Sequence, residues 1–288
     1  MNRPYFSIVT PSYNAGEKLN QTLDSILSQT FGDYEIIVKD AGSTDGSLET
    51  MRTDSRIRLI RSKDKGIYDG MNEAIALASG EYLYFLNCGD VLHNEMVFSS
   101  VVRAMEQYYE DKEKAIKQEQ EKGPSAAERS SEGCIFYGDV VEKATGQHVA
   151  ANPNMTHLAM YRNLPCHQAC FYSRNLFAER GFDIQYKIRA DYEHFLWCVM
   201  KEGAITKALP LIIADYEGGG FSETKENRAC SKEEHERIAE EYFTKEECRY
   251  FHWYMILTLQ PLREKLAHSR ATAGIYNGIK NRLYGRKT

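Results

Sequence analysis

Three carboxylates in the first third of this 288-residue chain stand where a short apolar run gives way to small polar residues. Asp40 follows Ile36-Ile37-Val38, Asp69 closes the loop Lys63-Asp64-Lys65-Gly66-Ile67-Tyr68-Asp69, and Asp90 ends Asn87-Cys88-Gly89-Asp90 after Tyr82–Leu86. A carboxylate on a rigid strand end can accept hydrogen bonds from a base N–H or a ribose hydroxyl. It can also ligate a hard divalent cation that bridges a diphosphate. Tyr13, just past the first apolar run, offers a flat ring to stack on a ligand, and Lys65 can neutralise phosphate beside a helix N-terminus. Each residue alone has a plainer use, because Asp-Gly and Asn-x-Gly-Asp are ordinary turn chemistry. Their recurrence at successive strand ends is what points to a pocket, since ligands of open α/β sheets sit beyond the strands' C-terminal ends.

The elements that position them can be read from hydrophobic period. Phe6–Thr10 is a buried strand that Pro11 stops, and Leu19, Leu23, Ile26 and Leu27 share one helical face. Strands follow at 35–39, 57–60 and 81–86. Ser43, Thr44 and Asp45 are candidate caps for a short helix over 46–53, and Met71, Ala74, Ile75 and Ala78 line a helix that Gly80 closes. A further helix covers 93–109. Residues 110–133 turn abruptly charged, a first part that can extend this helix, and then Gly-Pro-Ser-Ala-Ala, and the stretch reads as a mobile insertion. Strands are expected at 134–141, 164–172 and 210–216, and helices over 157–162 and from Asp191, placed at the helix cap. Three glycines, 218–220, read as a flexible loop, and the remainder as helical. The expected organisation is a catalytic domain over 1–222 and a helical extension over 223–288.

Composition narrows the function. The formal charge of −5 disfavours general nucleic-acid binding. No run reaches the ~18 apolar residues of a membrane span, and the N-terminus passes directly into a strand, so no signal peptide is expected. Seven scattered cysteines without paired spacing suit free thiols in a reducing cytoplasm. The lysine-rich loop is no P-loop, and no Gly-x-Gly-x-x-Gly follows a strand.

The succession TPSYN, DAGSTDGS and DKGIYDGMNEAIALASGEYLYFLNCGD resembles the nucleotide-binding half of family 2 glycosyltransferases, closely over residues 5–92 and more weakly over 165–222. The resemblance implies a GT-A fold: a Rossmann-like α/β, mostly parallel sheet flanked by helices. By position it implies that Pro11 and Tyr13 line the base pocket, that Asp40 binds base or ribose, and that the Lys65–Asp69 loop approaches ribose and diphosphate. The turn Asn87–Asp90 would hold sugar nucleotide and metal, Mn2+ or Mg2+. Here the chain departs from the common Asp-x-Asp pattern, with Asn87 and Gly89 where aspartates are usual and Asp90 alone as the metal carboxylate. Asp191 matches the family's general base, in Ala190-Asp191-Tyr192-Glu193.

The implied activity is transfer of a sugar from a nucleotide-sugar donor, a UDP-sugar, to a saccharide or lipid-linked saccharide, inverting, in surface polysaccharide assembly. A nucleotide-sugar-binding protein of weak activity is the alternative that Asn87 and Gly89 suggest. A nucleotidyltransferase would show a glycine-rich basic loop after the first strand, and TPSYN is nothing like it. The aromatic run FHWYMILTLQ (251–260) precedes a segment with seven Lys or Arg against Glu264 alone. That suits either a C-terminal helical pair packed on the domain with solvated charges or contact with an anionic membrane surface; the expected location is cytoplasmic, and under the second reading peripheral at the inner face of the cell membrane.

Overall fold

The computed structural model describes residues 3–120, 133–218 and 225–258. The Gly-Pro-Ser-Ala-Ala stretch, most of the glycine loop and the basic tail lie outside the described residues. The first strands are β1 (Phe6–Ser12), β2 (Tyr34–Asp40), β3 (Ile57–Arg61) and β4 (Tyr82–Phe85), with helices α1 (Glu17–Leu27) and α2 (Ile67–Ile75) between them. Then come β5 (Val91–Leu92), α3 (Val97–Gln120), β6 (Cys134–Glu142), β7 (Gln147–Val149), α4 (His157–Arg162), β8 (Cys170–Ser173), α5 (Ala190–Met200) and β9 (Ile205–Tyr216). Helices α6 (Lys225–Tyr242) and α7 (Lys245–Leu257) complete the described chain.

The described strands form one sheet in the order β3-β2-β1-β4-β8-β6-β9-β5, with β7 added to β6. β1 pairs in parallel with β2 and β4, and β2 with β3. Beyond β4 the pairing is antiparallel at β4–β8, β8–β6 and β9–β5, and parallel again at β6–β9. The result is a mixed α/β sheet whose parallel half carries the strand-end motifs. Phe6, Ile8, Ile36, Val38, Tyr82 and Tyr84 send side chains to one face, where Leu19, Leu23 and Ile26 of α1 and Phe98, Val101 and Met105 of α3 complete a core. Helix α2 packs on β1 and β2.

Several sequence expectations change. β1 does not stop before Pro11 but runs to Ser12, with Pro11 opposite Lys39. The carbonyls of Val9 and Pro11 both face β4, where the ladder ends at Val9, so the amide hydrogen that proline lacks is not needed. Residues 46–53 form turns rather than a helix. Asp45 binds the Ser47 amide and hydroxyl and reaches back to the Gly16 amide at 2.8 Å, tying the segment to the entrance of α1. The charged stretch after 109 continues α3 to Gln120, and the polar entry to β8 is a single 3-10 turn at His167–Ala169.

By compactness the chain divides into a unit over Met1–His235 and a second beginning at Glu236. In the second, Thr244 starts α7 with a reciprocal capping box to Glu247, and Tyr250, Trp253, Ile256 and Leu257 are exposed. Among the described residues no helix is long and apolar enough to cross a membrane.

Candidate active site

Parallel register brings the C-terminal ends of β1 to β4 to one edge of the sheet. Pro11 and Tyr13, Asp40, the Lys65–Asp69 loop and the Asn87–Asp90 turn all follow from it. Tyr13 is 66% exposed and available to a ligand. The two neighbouring strand ends are clasped. Ser43 Oγ accepts from the Asn14 amide at 2.8 Å and donates to Asp40 Oδ2, while Asp40 Oδ1 accepts from the amides of Gly42 and Ser43 at 2.8 Å each. Asp40 is fully buried, and its carboxylate builds the turn that holds this edge in shape. Asn14 takes a positive φ of 47° there, and its side-chain oxygen accepts from the Thr44 amide.

The β3–α2 loop is anchored from beneath by a lysine that no sequence pattern singles out. Lys39 is buried under it, donating to the Ser62 carbonyl and the Asp64 carboxylate at 2.9 Å each. Asp69 accepts from the Lys65 amide at 2.9 Å, closing the first turn of α2, and the Lys65 side chain is exposed.

At the β4 turn the Cys88 thiol, pushed up to about 12 by burial, donates to the Pro11 carbonyl. Thr22 of α1 holds the turn from behind, donating to the Asp90 carbonyl at 2.7 Å and accepting from the Gly89 amide at 3.0 Å. Asn87 Nδ2 lies 3.1 Å from His167 Nε2, while Asn87 Oδ1 is buried with no hydrogen-bond partner. Asp90 is 8% exposed, and burial raises its carboxyl above the usual carboxylate range. A hydrogen bond from the Glu217 amide at 3.0 Å and the nearby charges of His167 and Lys143 oppose that rise. Lys143 donates to the Gly89 carbonyl at 2.7 Å, and Lys18 pairs with Glu217 at 2.6 Å.

This geometry accounts for Gly89. Its φ is +99°, a backbone conformation that disfavours the second aspartate, and a Cβ there would lie 2.7 Å from Glu217 Oε2, the mobile end of a side chain that would have to shift. A carboxylate still reaches the place, contributed by Glu217 just beyond β9. Asp90, Glu217 and the unpartnered Asn87 amide oxygen are hard oxygen donors, which suits Mg2+ or Mn2+ better than a thiophilic metal. No cluster of three His, Cys, Asp or Glu with metal-holding geometry occurs among the described residues.

Asp191 does not cap α5. It lies in the helix's first turn, Arg189 is the N-cap residue, and no side chain of the cap itself bonds the helix. Instead Asp191 Oδ1 accepts from the Tyr68 hydroxyl of α2 at 2.8 Å, which ties the start of α5 to the loop after β3. Glu193 is buried and paired with Arg180 at 2.7 Å, a structural contact rather than a ligand-facing one. The sequence reading missed Tyr68, Lys18, Lys143 and Glu217. Only Tyr68, a tyrosine inside the loop motif, carried a readable signal.

The family model of Glycosyl transferase family 2 matches residues 7–127. A PGL/p-HBAD biosynthesis glycosyltransferase of Mycobacterium bovis is 31% identical over 231 residues, covering 78% of this chain and 81% of that protein. The glycosyltransferase GlyG of Streptococcus pneumoniae is 36% identical over 96 residues, 32% of each chain. Among solved structures, S. aureus TarS 1-349 in complex with UDP-GlcNAc superposes with a TM-score of 0.57 at 15% identity, covering 98% of this chain and 76% of that one. The mannosyltransferase PcManGT of Pyrobaculum calidifontis, in complex with GDP-Man and Mn2+, gives 0.59 at 16% identity, covering 100% and 89%. These structural likenesses establish the GT-A-like fold.

Proposed function

The chain belongs to glycosyl transferase family 2, and on that premise we propose that it moves a sugar from a UDP-sugar to a saccharide or lipid-linked saccharide with inversion, in surface polysaccharide assembly. The observation that carries this reading is the common edge of β1 to β4, where exposed Tyr13 and Lys65 stand with the Asn87–Asp90 turn and its two lysines. Pro11 and Tyr13 flank the base, the Asp40 turn supports the base and ribose side, and the Lys65–Asp69 loop takes the ribose and diphosphate.

Chemistry follows from where charge moves. A sugar hydroxyl is a weak nucleophile at neutral pH. Asp191 takes its proton as the oxygen bonds to the anomeric carbon, a role worth about 10²–10⁴ in rate. The bond from that carbon to the diphosphate oxygen breaks, and its electron pair leaves with the nucleoside diphosphate. One base and one displacement invert the anomeric centre. Lys18 and Lys143 lie close enough to the turn to favour the growing negative charge. Mg2+ or Mn2+ held by Asp90, with Glu217 and the Asn87 oxygen beside it, would add to the same neutralisation.

A lipid-linked acceptor is favoured by the exposed aromatic face of α7 and the basic sequence that follows it. Calorimetry against UDP, GDP, UDP-glucose, UDP-GlcNAc and GDP-mannose, with and without Mn2+, tests the donor. UDP binding strengthened by Mn2+ is expected, and binding of none of them refutes the reading. Asp191→Asn should keep UDP affinity and lose at least ~10² in turnover.

A further inference from the structure

A carboxylate in the first turn of a helix has a default fate. It can reach back to the amides at and just before the N-cap, as the N3 carboxylate of a capping box does. Asp191 escapes that fate because another carboxylate gets there first. Glu234 of α6, 6% exposed, accepts from three consecutive amides just ahead of α5: Lys187 at 2.7 Å on Oε1, then Ile188 at 3.0 Å and Arg189 at 2.9 Å on Oε2. The Arg189 side chain is fixed to the same helix, its Nε donating to the carbonyl and hydroxyl of Ser231. From the opposite side the Tyr68 hydroxyl shares its one proton between the Ile188 carbonyl and Asp191 Oδ1, both at 2.8 Å. The Tyr68 ring is buried against Phe182 at 5.4 Å.

We propose that Tyr68 and Glu234 are positioning residues for the catalytic base: Glu234 occupies the amides that would otherwise claim Asp191, and Tyr68 holds the released carboxylate in its working orientation. This rests on the reading of Asp191 as the base. If Tyr68 served only the fold, the Ile188 carbonyl would suffice for its hydroxyl. The second acceptor is the reacting group itself. Burial, with the Asp191 charge second, raises the Tyr68 hydroxyl well above its ordinary value, so it remains a donor at any working pH. The other titratable groups facing this pair are Cys170 and Tyr172 of β8 and Glu234 itself.

The test uses the full chain. Turnover is followed as release of UDP from UDP-glucose or UDP-GlcNAc, or of GDP from GDP-mannose, to water. Tyr68→Phe should lower kcat about tenfold per folded molecule with KM little changed. Asp191→Asn separates the two readings. If it retains turnover, the base assignment falls. If it is inactive while Tyr68→Phe keeps wild-type kcat, the positioning proposal falls alone. A crystal structure of Glu234→Ala provides a check independent of activity: the Asp191 side chain should turn back onto the amides of residues 188–189, and an unmoved Asp191 overturns the proposal.

Discussion

The helix that carries Asp191 also carries an acid-sensitive fault, three residues further on. His194 is fully buried, stacked 4.2 Å from Phe177 and 5.5 Å from Trp197, and neither ring nitrogen has a hydrogen-bond partner. Burial, with the Arg180 charge second, lowers its pKa to about 3. In the unfolded chain it titrates near 6.5. Between these values the unfolded state binds a proton that the folded state does not, so stability falls as pH drops below about 6.5 and the loss is complete near pH 3. Each unit is worth about 1.4 kcal/mol, which gives roughly 2 kcal/mol lost between pH 7.5 and pH 5 from this one side chain. His194→Phe keeps a flat ring and removes the titration. Urea denaturation of both proteins at pH 7.5 and pH 5, followed by tryptophan fluorescence, isolates the effect. Other titrating groups act equally in both proteins, and any packing change in the variant cancels between the two pH values. The wild type should lose about 2 kcal/mol more than the variant. Equal losses would show that His194 is protonated in the folded state, and the argument from burial would be wrong.

Lys39→Met should destabilise the protein by about 3–5 kcal/mol in urea titration, because Asp64 and the Ser62 carbonyl would lose their buried cation; a loss below 1 kcal/mol would mean that the loop does not depend on it. Gly89→Asp restores an acidic residue to the β4 turn, yet it should lower the melting temperature and weaken Mn2+-dependent UDP binding, since a φ of +99° strains any residue with a Cβ and the Glu217 carboxylate beside it would have to move. Tighter Mn2+ binding would refute that account of the glycine. Sedimentation with anionic vesicles should fall when the chain is cut after Gln260, which removes seven basic residues; unchanged binding would take the tail out of membrane contact.

What could be read from the sequence was whatever one segment states by itself. β1, β2 and β4 announce themselves because each is a short apolar run ending in turn residues, and parallel pairing then fixes their ends to a common edge without further information. Pro11 misled because its effect depends on which neighbour its amide faces, a property of the β1–β4 register. The helix expected over 46–53 failed because Asp45 bonds across to Gly16, a contact no local pattern encodes. Gly89 read as a missing ligand until Glu217, from the far end of β9, proved to lie against it.

Asp191 is the sharpest case, since a helix cap and a general base both call for an aspartate at a helix start. Nothing local distinguishes them. The distinction rests on Glu234 and Tyr68, from α6 and α2, which take the amides and the carboxylate respectively. The role proposed for Asp191 is therefore not a property of its own motif. It arises where a distant carboxylate makes capping redundant, and an aspartate in the same local sequence without such a partner should be held by its own helix.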